Sequence, residues 1–566
     1  MSDFGTPDSP STARGARVLD RAPEGDRDCR PVAATEPSPV TVRILDAMSS
    51  RFSLGERASG LLVHPTSLPG PHGCGDAGLP SARFAAWLAR AGQRWWQLLP
   101  VGPVGYGNSP YSALSAFAGS PLLVSLDALV PLGLLRAADL RPPAPLPDAR
   151  VDYPAAAAFR LDRLRRAFAA FRALPARSRL VKSFHSECES SSAWLADWAL
   201  FAALKDAHGG RAWTAWAPEL RDRRKPALRA AAARLADELD FRRFEQWLFT
   251  TQWRALREAC AAQGVALLGD APIFVAHDSA DVWSGRELFK LGARGEPTVV
   301  AGVPPDYFSA TGQRWGNPLY RWATLRRSGY AWWLARLRLS LERFDALRLD
   351  HFIGFTRAWE IPAASPIATR GKFVPGPGRH FFRAVEAALG GLPFVAEDLG
   401  LVTPAVAALR DELGLPGIRV LQFAFGTDPQ APTFAPHAYP RRAVAYTGTH
   451  DNDTTLGWFH DRGGPPGLRT PAQCEKERRA ALEYLGRDDD RDVHWAMIRE
   501  VLKSPAGVAI VPLQDPLGLG SKARMNLPGT VAGNWEWRVP PGSLTASLAA
   551  RLARLARVYG RAPGAA

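Results

Sequence analysis

In the stretch Phe344-Asp345-Ala346-Leu347-Arg348-Leu349-Asp350-His351-Phe352, apolar and charged side chains alternate from Leu347 to Asp350, and an imidazole follows the acid. A β-strand sends successive side chains to opposite faces, so Leu347 and Leu349 share one face while Arg348 and Asp350 share the other. Such a strand has two unlike neighbours to satisfy. The leucines suit a layer of packed helices, and the charged pair suits the mouth of a closed barrel.

The same grammar recurs along the chain as short apolar runs that end in polar residues beside Gly, Pro or Asp. Leu61-Leu62-Val63 precedes His64, and Trp96-Gln97-Leu98-Leu99 precedes Pro100. Residues 265–268 lead to Asp270, 346–349 to Asp350 and 393–396 to Glu397. Residues 418–421 lead to Gln422, 443–446 to Thr449-His450-Asp451, and 508–511 to Gln514-Asp515. Eight such runs, with helical material between most of them, predict an α/β fold: a parallel TIM (β/α)8 barrel whose functional groups sit at the C-terminal strand ends.

Spacing adds insertions, expected to be mainly helical. About 165 residues separate the second run from the third, too many for one crossover helix. Helical patterns at 151–177, 190–207 and 225–260, joined by Pro-rich sequence near 139–148, predict a helical subdomain at about 120–260. A second insertion at about 271–327 reads as loop-rich, with Trp283, Val303-Pro304-Pro305, Asp306-Tyr307-Phe308 and Gln313-Arg314-Trp315-Gly316-Asn317, before a helix at 328–344. Residues 1–45, rich in Pro, Ser, Asp, Arg and Gly, read as a disordered tail, and 46–566 as the catalytic barrel domain.

Composition excludes several classes. With 566 residues, 46% of them hydrophobic, and 19 Trp, the chain has ample material for a large core. Five Cys without metal-ligand spacing fit reduced thiols, and neither a leader pattern nor a long apolar span is present, so the expectation is a cytoplasmic protein without a membrane partner. The net charge of +15 comes mostly from Arg spread through acid-containing helical segments at 151–180 and 221–245. No basic patch alternates with aromatics, so no nucleic-acid partner is expected.

The charged strand ends carry the chemistry. A guanidinium one layer below a carboxylate favours its charged form, which suits Asp350 as a nucleophile; a structural ion pair is the alternative reading. Glu397, in Val395-Ala396-Glu397-Asp398-Leu399-Gly400, ends the neighbouring run and comes to lie beside Asp350. Two carboxylates flanking one bond are what glycoside chemistry needs, one to attack the anomeric carbon and one to protonate the leaving oxygen. Asp398 faces the other way, and a hydrated Glu-Asp turn cap is the competing account of this pair. In Thr447-Gly448-Thr449-His450-Asp451-Asn452-Asp453-Thr454-Thr455, Asp451 or Asp453 can accept from sugar hydroxyls and support positive charge on the ring, and His450 can donate to a hydroxyl. The spacing of a calcium loop, with its distal Glu, is missing, so no metal is expected there.

Asp270, in Gly269-Asp270-Ala271-Pro272, reads as a structural anchor. The glycines at 102, 105 and 107 lack the Lys-Ser/Thr of a phosphate loop, and no dinucleotide fingerprint occurs. Tyr106, Tyr111, Trp283, Tyr307, Phe308 and Trp315 stand in Gly/Pro/Asn-rich loops, where flat rings can stack on pyranose faces or simply pack.

Over roughly residues 55–545 the chain resembles the amylomaltase (4-α-glucanotransferase) family, glycoside hydrolase family 77. The resemblance rests on Gly105-Tyr106-Gly107-Asn108-Ser109-Pro110-Tyr111, Val300-Ala301-Gly302-Val303-Pro304-Pro305-Asp306-Tyr307-Phe308 and Gln313-Arg314-Trp315-Gly316-Asn317-Pro318-Leu319-Tyr320. It rests equally on Arg348-Leu349-Asp350-His351-Phe352, Ala396-Glu397-Asp398-Leu399-Gly400 and the run from Tyr446 to Thr455. It implies Asp350 as nucleophile, Glu397 as acid/base and Asp451 as the third carboxylate. It also places Arg348, His351 and His450 around the reacting sugar, Trp315 and Asn526 along the cleft, Ser109 and Tyr111 near donor subsites, and Tyr106 at an outer glucan contact. Where some relatives carry an acidic pair after Gln422-Phe423-Ala424-Phe425, this chain has Gly426-Thr427-Asp428, so a donor-side contact is lost or moved to Asp428.

The implied partners are α-1,4-glucans (maltodextrins, amylose, starch) as donors, with glucose or maltose as acceptor, no cofactor, and a monomer or weak homo-oligomer. Without the resemblance, a retaining α-glucan hydrolase and a non-catalytic glucan-binding protein remain open.

Overall fold

The structure, a computed structural model, describes residues 52–305, 311–464 and 469–563. The expected tail at 1–45 lies outside the described residues, as do Asp306, Tyr307 and Phe308.

Eight strands, β1 (Ala58–Leu62), β2 (Trp95–Gln97), β3 (Ala266–Pro272), β4 (Ala346–Asp350), β5 (Phe394–Ala396), β6 (Gly417–Val420), β7 (Ala443–Tyr446) and β8 (Val508–Pro512), follow the eight apolar runs. They close into a barrel in which each strand lies beside its chain neighbours and β8 returns to β1. Every pairing is parallel. Register sets the mouth: Asp270 lies opposite Arg348 and Pro272 opposite Asp350, while Leu349 lies opposite Ala396.

The period of two sorts the side chains into two cores. Leu62, Trp95, Leu268, Ala346, Val395, Ile418, Val444 and Ile510 form one buried cluster, the barrel interior. Leu61, Trp96, Leu267, Leu347, Leu349 and Val511 join the larger cluster between the strands and their helices. The interior is tight near its base, where a Cβ on Gly60 would stand 2.3 Å from the Trp95 carbonyl oxygen. Only glycine fits against that stretch of backbone.

The long β2–β3 connection is helical, with Tyr153–Arg172, Arg179–Ser190, Ser192–Ala207, Lys225–Arg234 and Ala236–Ala262. The pattern read as one helix at 225–260 is two helices meeting at Leu235. The Arg179–Ser190 helix, which the sequence reading does not mark, buries Phe184 and packs Leu180, Val181 and Cys188 against the core. Ala236–Ala262 leads back to the barrel, where the Trp253 indole donates to the Arg343 carbonyl at 3.0 Å.

The second connection differs from the loop-rich reading. Gln313–Pro318, Val299–Val303, Arg357–Pro362 and Lys372–Pro375 form a four-stranded sheet in that spatial order, antiparallel throughout. Two of its strands come from the β3–β4 connection and two from the β4–β5 connection. No single sequence window contains such a sheet, and its polar edge strand, Gln313–Pro318, buries only Pro318. A helix, Ala331–Arg343, stands where 328–344 predicted one.

Candidate active site

Arg348 is the centre of the barrel mouth. Its side chain is almost completely buried, and its Nη1 lies 3.0 and 2.7 Å from the two Asp270 carboxylate oxygens. The same Nη1 is 2.9 Å from Asp350 Oδ1, and Nη2 is 3.9 Å from Glu397 Oε2. One cation thus stands among three carboxylates from β3, β4 and the end of β5. They differ in access: the Asp350 side chain is 26% exposed, the Glu397 side chain 10% and the Asp270 side chain 0%. The group that meets solvent is Asp350.

Burial pushes the Glu397 carboxyl up to about 7. Arg348 opposes that rise, the Asp350 charge adds to it, and two backbone N–H groups pull it back. Those donors are His351 N, 2.7 Å from Oε2, and Leu399 N, 2.9 Å from Oε1. They fix the carboxyl in place. His351 reaches this position with φ of 50°, in the left-handed region that a non-glycine residue adopts at a cost. The turn that ends β4 is therefore strained in the conformation that aims its N–H at Glu397. Burial also lowers the His351 imidazole to about 4, which leaves it neutral at physiological pH.

Asp398 goes the other way. It is buried, accepts from Ile418 N at 2.7 Å and pairs with Arg410 and, at 3.5 Å, Arg419. Those contacts lock β5 to β6 and the helix Pro404–Glu412.

On the opposite side of the mouth, Tyr111 donates its hydroxyl to Asp270 Oδ2 at 2.8 Å and stacks on His450, with ring centroids 5.1 Å apart. Ser109 caps the short turn that presents Tyr111, its hydroxyl accepting from Tyr111 N at 3.2 Å. Next to His450, Asp451 accepts from Asn526 Nδ2 at 2.6 Å, and its backbone carbonyl accepts from Arg524 at 2.6 Å. Asp451 Oδ2 is 3.4 Å from His450 Nε2, and its side chain is 46% exposed. Asp453 instead accepts from Ser521 Oγ and from Thr454 N.

Trp315 projects from the edge strand of the antiparallel sheet and meets the His351 ring edge-on at 4.8 Å. That contact brings the accessory sheet to the barrel mouth. Tyr106 is 79% exposed and Asp428 accepts from Gln430 N at 2.7 Å; none of the described interactions ties either to the Arg348 cluster. Asp270 is more than the strand-end anchor read from sequence, since it holds both Arg348 and Tyr111. Its register opposite Arg348, with both residues on the inward face, is the signal that finds it. Arg524 and Ser521, which brace the 447–455 loop, stand in no motif that sequence reading singles out, whereas Gln422, the polar end of the sixth run, donates to the Asp453 carbonyl. Among the described residues no group of three or more His, Cys, Asp or Glu is placed to hold a metal ion, and no helix is long and apolar enough to cross a membrane.

A parallel barrel with carboxylates at the ends of β4, β5 and β7 has the equipment of glycosidic-bond chemistry. The family model described as 4-alpha-glucanotransferase matches residues 63–545, and the chain belongs to that family, glycoside hydrolase family 77. It is 48% identical over 514 residues to the 4-alpha-glucanotransferase of Thermus thermophilus, covering 89% of this chain and 99% of that one. It is 46% identical to the Synechocystis 4-alpha-glucanotransferase, covering 90% and 99%. The fold is similar to that of an amylomaltase from Streptococcus agalactiae solved in complex with acarbose, with a TM-score of 0.84, 32% identity and coverage of 90% and 100%. The protein is an enzyme that transfers α-1,4-glucan chains with retention of configuration.

Proposed function

We propose that Asp350 is the nucleophile, Glu397 the general acid and base, and Asp451 the carboxylate that supports the distorted, positively charged sugar ring. One observation carries this assignment: two carboxyls flank one guanidinium, with Asp350 open to solvent and paired, and Glu397 buried and pushed up to about 7. Asp350 attacks the anomeric carbon of a bound α-glucan while Glu397 gives its proton to the leaving oxygen, and a covalent glycosyl-enzyme results. The 4-hydroxyl of an acceptor then attacks that carbon and passes its proton to Glu397, so the second displacement restores the α configuration.

Arg348, His351, His450, Tyr111 and Asn526 hold the reacting sugar and its carboxylates. Ser109 and Asp428 serve the donor side, Trp315 lines the cleft, and Tyr106 contacts an outer part of a long chain. The donors are maltodextrins, amylose or starch, and glucose or maltose accepts. The acarbose held by the Streptococcus agalactiae relative supports a cleft shaped for such chains. We place the enzyme in the cytoplasm as a monomer or weak homo-oligomer, acting through residues 46–566 with insertions at about 120–260 and 271–327.

Maltotriose as sole substrate tests the transfer reading. Glucose together with oligosaccharides longer than three units is the expected product set. Maltose and glucose in equal amounts, with nothing longer, would contradict it.

A further inference from the structure

We infer that Asp515, just beyond β8, is a positioning residue for transfer: it ties together the two ends of the 447–455 loop and so sets the place of Asp451. The inference rests on the role proposed above for Asp451.

Thr447 follows the last residue of β7, and Thr455 begins the helix Thr455–His460. Between them run His450, Asp451 and Asp453. Asp515 Oδ2 accepts the Thr447 hydroxyl at 2.5 Å and the Thr455 hydroxyl at 2.8 Å, and Oδ1 accepts Thr455 N at 2.7 Å. Asp515 and both threonines are buried, and no Lys or Arg among the described residues forms an ion pair with this carboxylate. Burial pushes its carboxyl up, against the pull of these three donors. A buried acid without a cation is costly unless it is fully hydrogen-bonded. Here all of its donors belong to the two ends of one loop.

Of the loop's other braces, Gln422 N donates to the Thr447 carbonyl at 3.3 Å, and the rest act within the loop or at its middle. Asn452 Oδ1 accepts from Thr449 N and the Thr449 hydroxyl, Gln422 donates to the Asp453 carbonyl, and Arg524 and Asn526 hold Asp451. Arg524 and Asn526 follow β8, as Asp515 does. The β8 connection therefore fixes the loop at its ends through Asp515 and at Asp451 directly. A carboxylate displaced by about 1 Å from a reacting ring costs on the order of a hundredfold in rate.

The test is a double-mutant cycle of Asp515→Asn and Asp451→Asn, measured as kcat and KM with an activated α-maltotriosyl fluoride donor. The amide keeps the size of Asp515 but presents N–H where Oδ2 takes two hydroxyls. Asp515→Asn is expected to lower kcat about 10- to 100-fold with KM changed less than about threefold. In the Asp451→Asn background the same change is expected to cost less than about threefold, because the residue it positions is already disabled. Thr455→Val, which removes one donor without touching the acid, is expected to move kcat the same way by less, and it carries the test if Asp515→Asn fails to fold. Equal losses in both backgrounds would make Asp515 a purely structural residue and overturn the inference, as would an unchanged kcat in Asp515→Asn and Thr455→Val. An Asp451→Asn enzyme with parental kcat would remove the role of Asp451 itself and overturn both readings, an outcome visible before Asp515 is changed.

Discussion

Arg348 brings one positive charge to three carboxylates and makes close contact with two of them. Asp270 and Asp350 lie within 3.0 Å of its Nη1, and Glu397 stands back at 3.9 Å from Nη2. The site thus separates two acids of similar intrinsic strength into a paired group and a buried group that keeps its proton, which are the two states a retaining mechanism needs at its start. This has a thermodynamic consequence at Glu397. In the folded chain it ionises near 7, and in the unfolded chain near its ordinary 4.5. Between these values the folded state alone keeps the proton, so the contribution of Glu397 to stability is complete below 4.5 and is lost as pH rises to 7. The loss is on the order of 3 kcal/mol. Glu397→Gln removes it, so the variant is expected to melt above the parent at pH 8 and to match it at pH 4. A Tm difference that does not change with pH would contradict the buried, protonated state.

At the scale of elements, the strand ends do the positioning, and small residues let them come close. Gly417 opens β6, and a Cβ there would stand 2.6 Å from Asp398 Oδ2. That gap admits the Asp398 carboxylate to Ile418 N and so joins β6 to the residue beside Glu397. Gly417→Ala is expected to cost about 1–3 kcal/mol and to lower Tm by several degrees; an unchanged Tm would show that β6 yields at this point. The barrel strands were legible because each is an apolar run that stops at a polar residue. The accessory sheet was not, because its strands come from two connections and pair across the chain. Likewise, Gln514-Asp515 was visible as the polar end of the eighth run, but its hold on Thr447 and Thr455 spans 60 residues or more of sequence.

For the whole molecule, the barrel mouth draws on segments from Ser109 to Asn526, while β1 begins only at Ala58 and the family match at residue 63. The acidic strand ends and their order were readable from local alternation. The contacts that make them a site, such as Tyr111 on Asp270 or Trp315 on His351, depend on closure of the barrel and arrival of the insertions. A chain comprising residues 46–566 is expected to keep parental kcat, KM and Tm; a tenfold loss of kcat/KM would assign the first 45 residues a part in catalysis.

The division of labour between Asp350 and Glu397 is tested most directly by trapping the intermediate. With α-maltotriosyl fluoride, whose leaving group needs no proton, Glu397→Gln is expected to form the glycosyl-enzyme and to resolve it slowly for want of a base. Peptide mapping by mass spectrometry should then find the maltotriosyl group on Asp350. A label on any other residue, or steady turnover of the fluoride with no labelled peptide, would contradict the account.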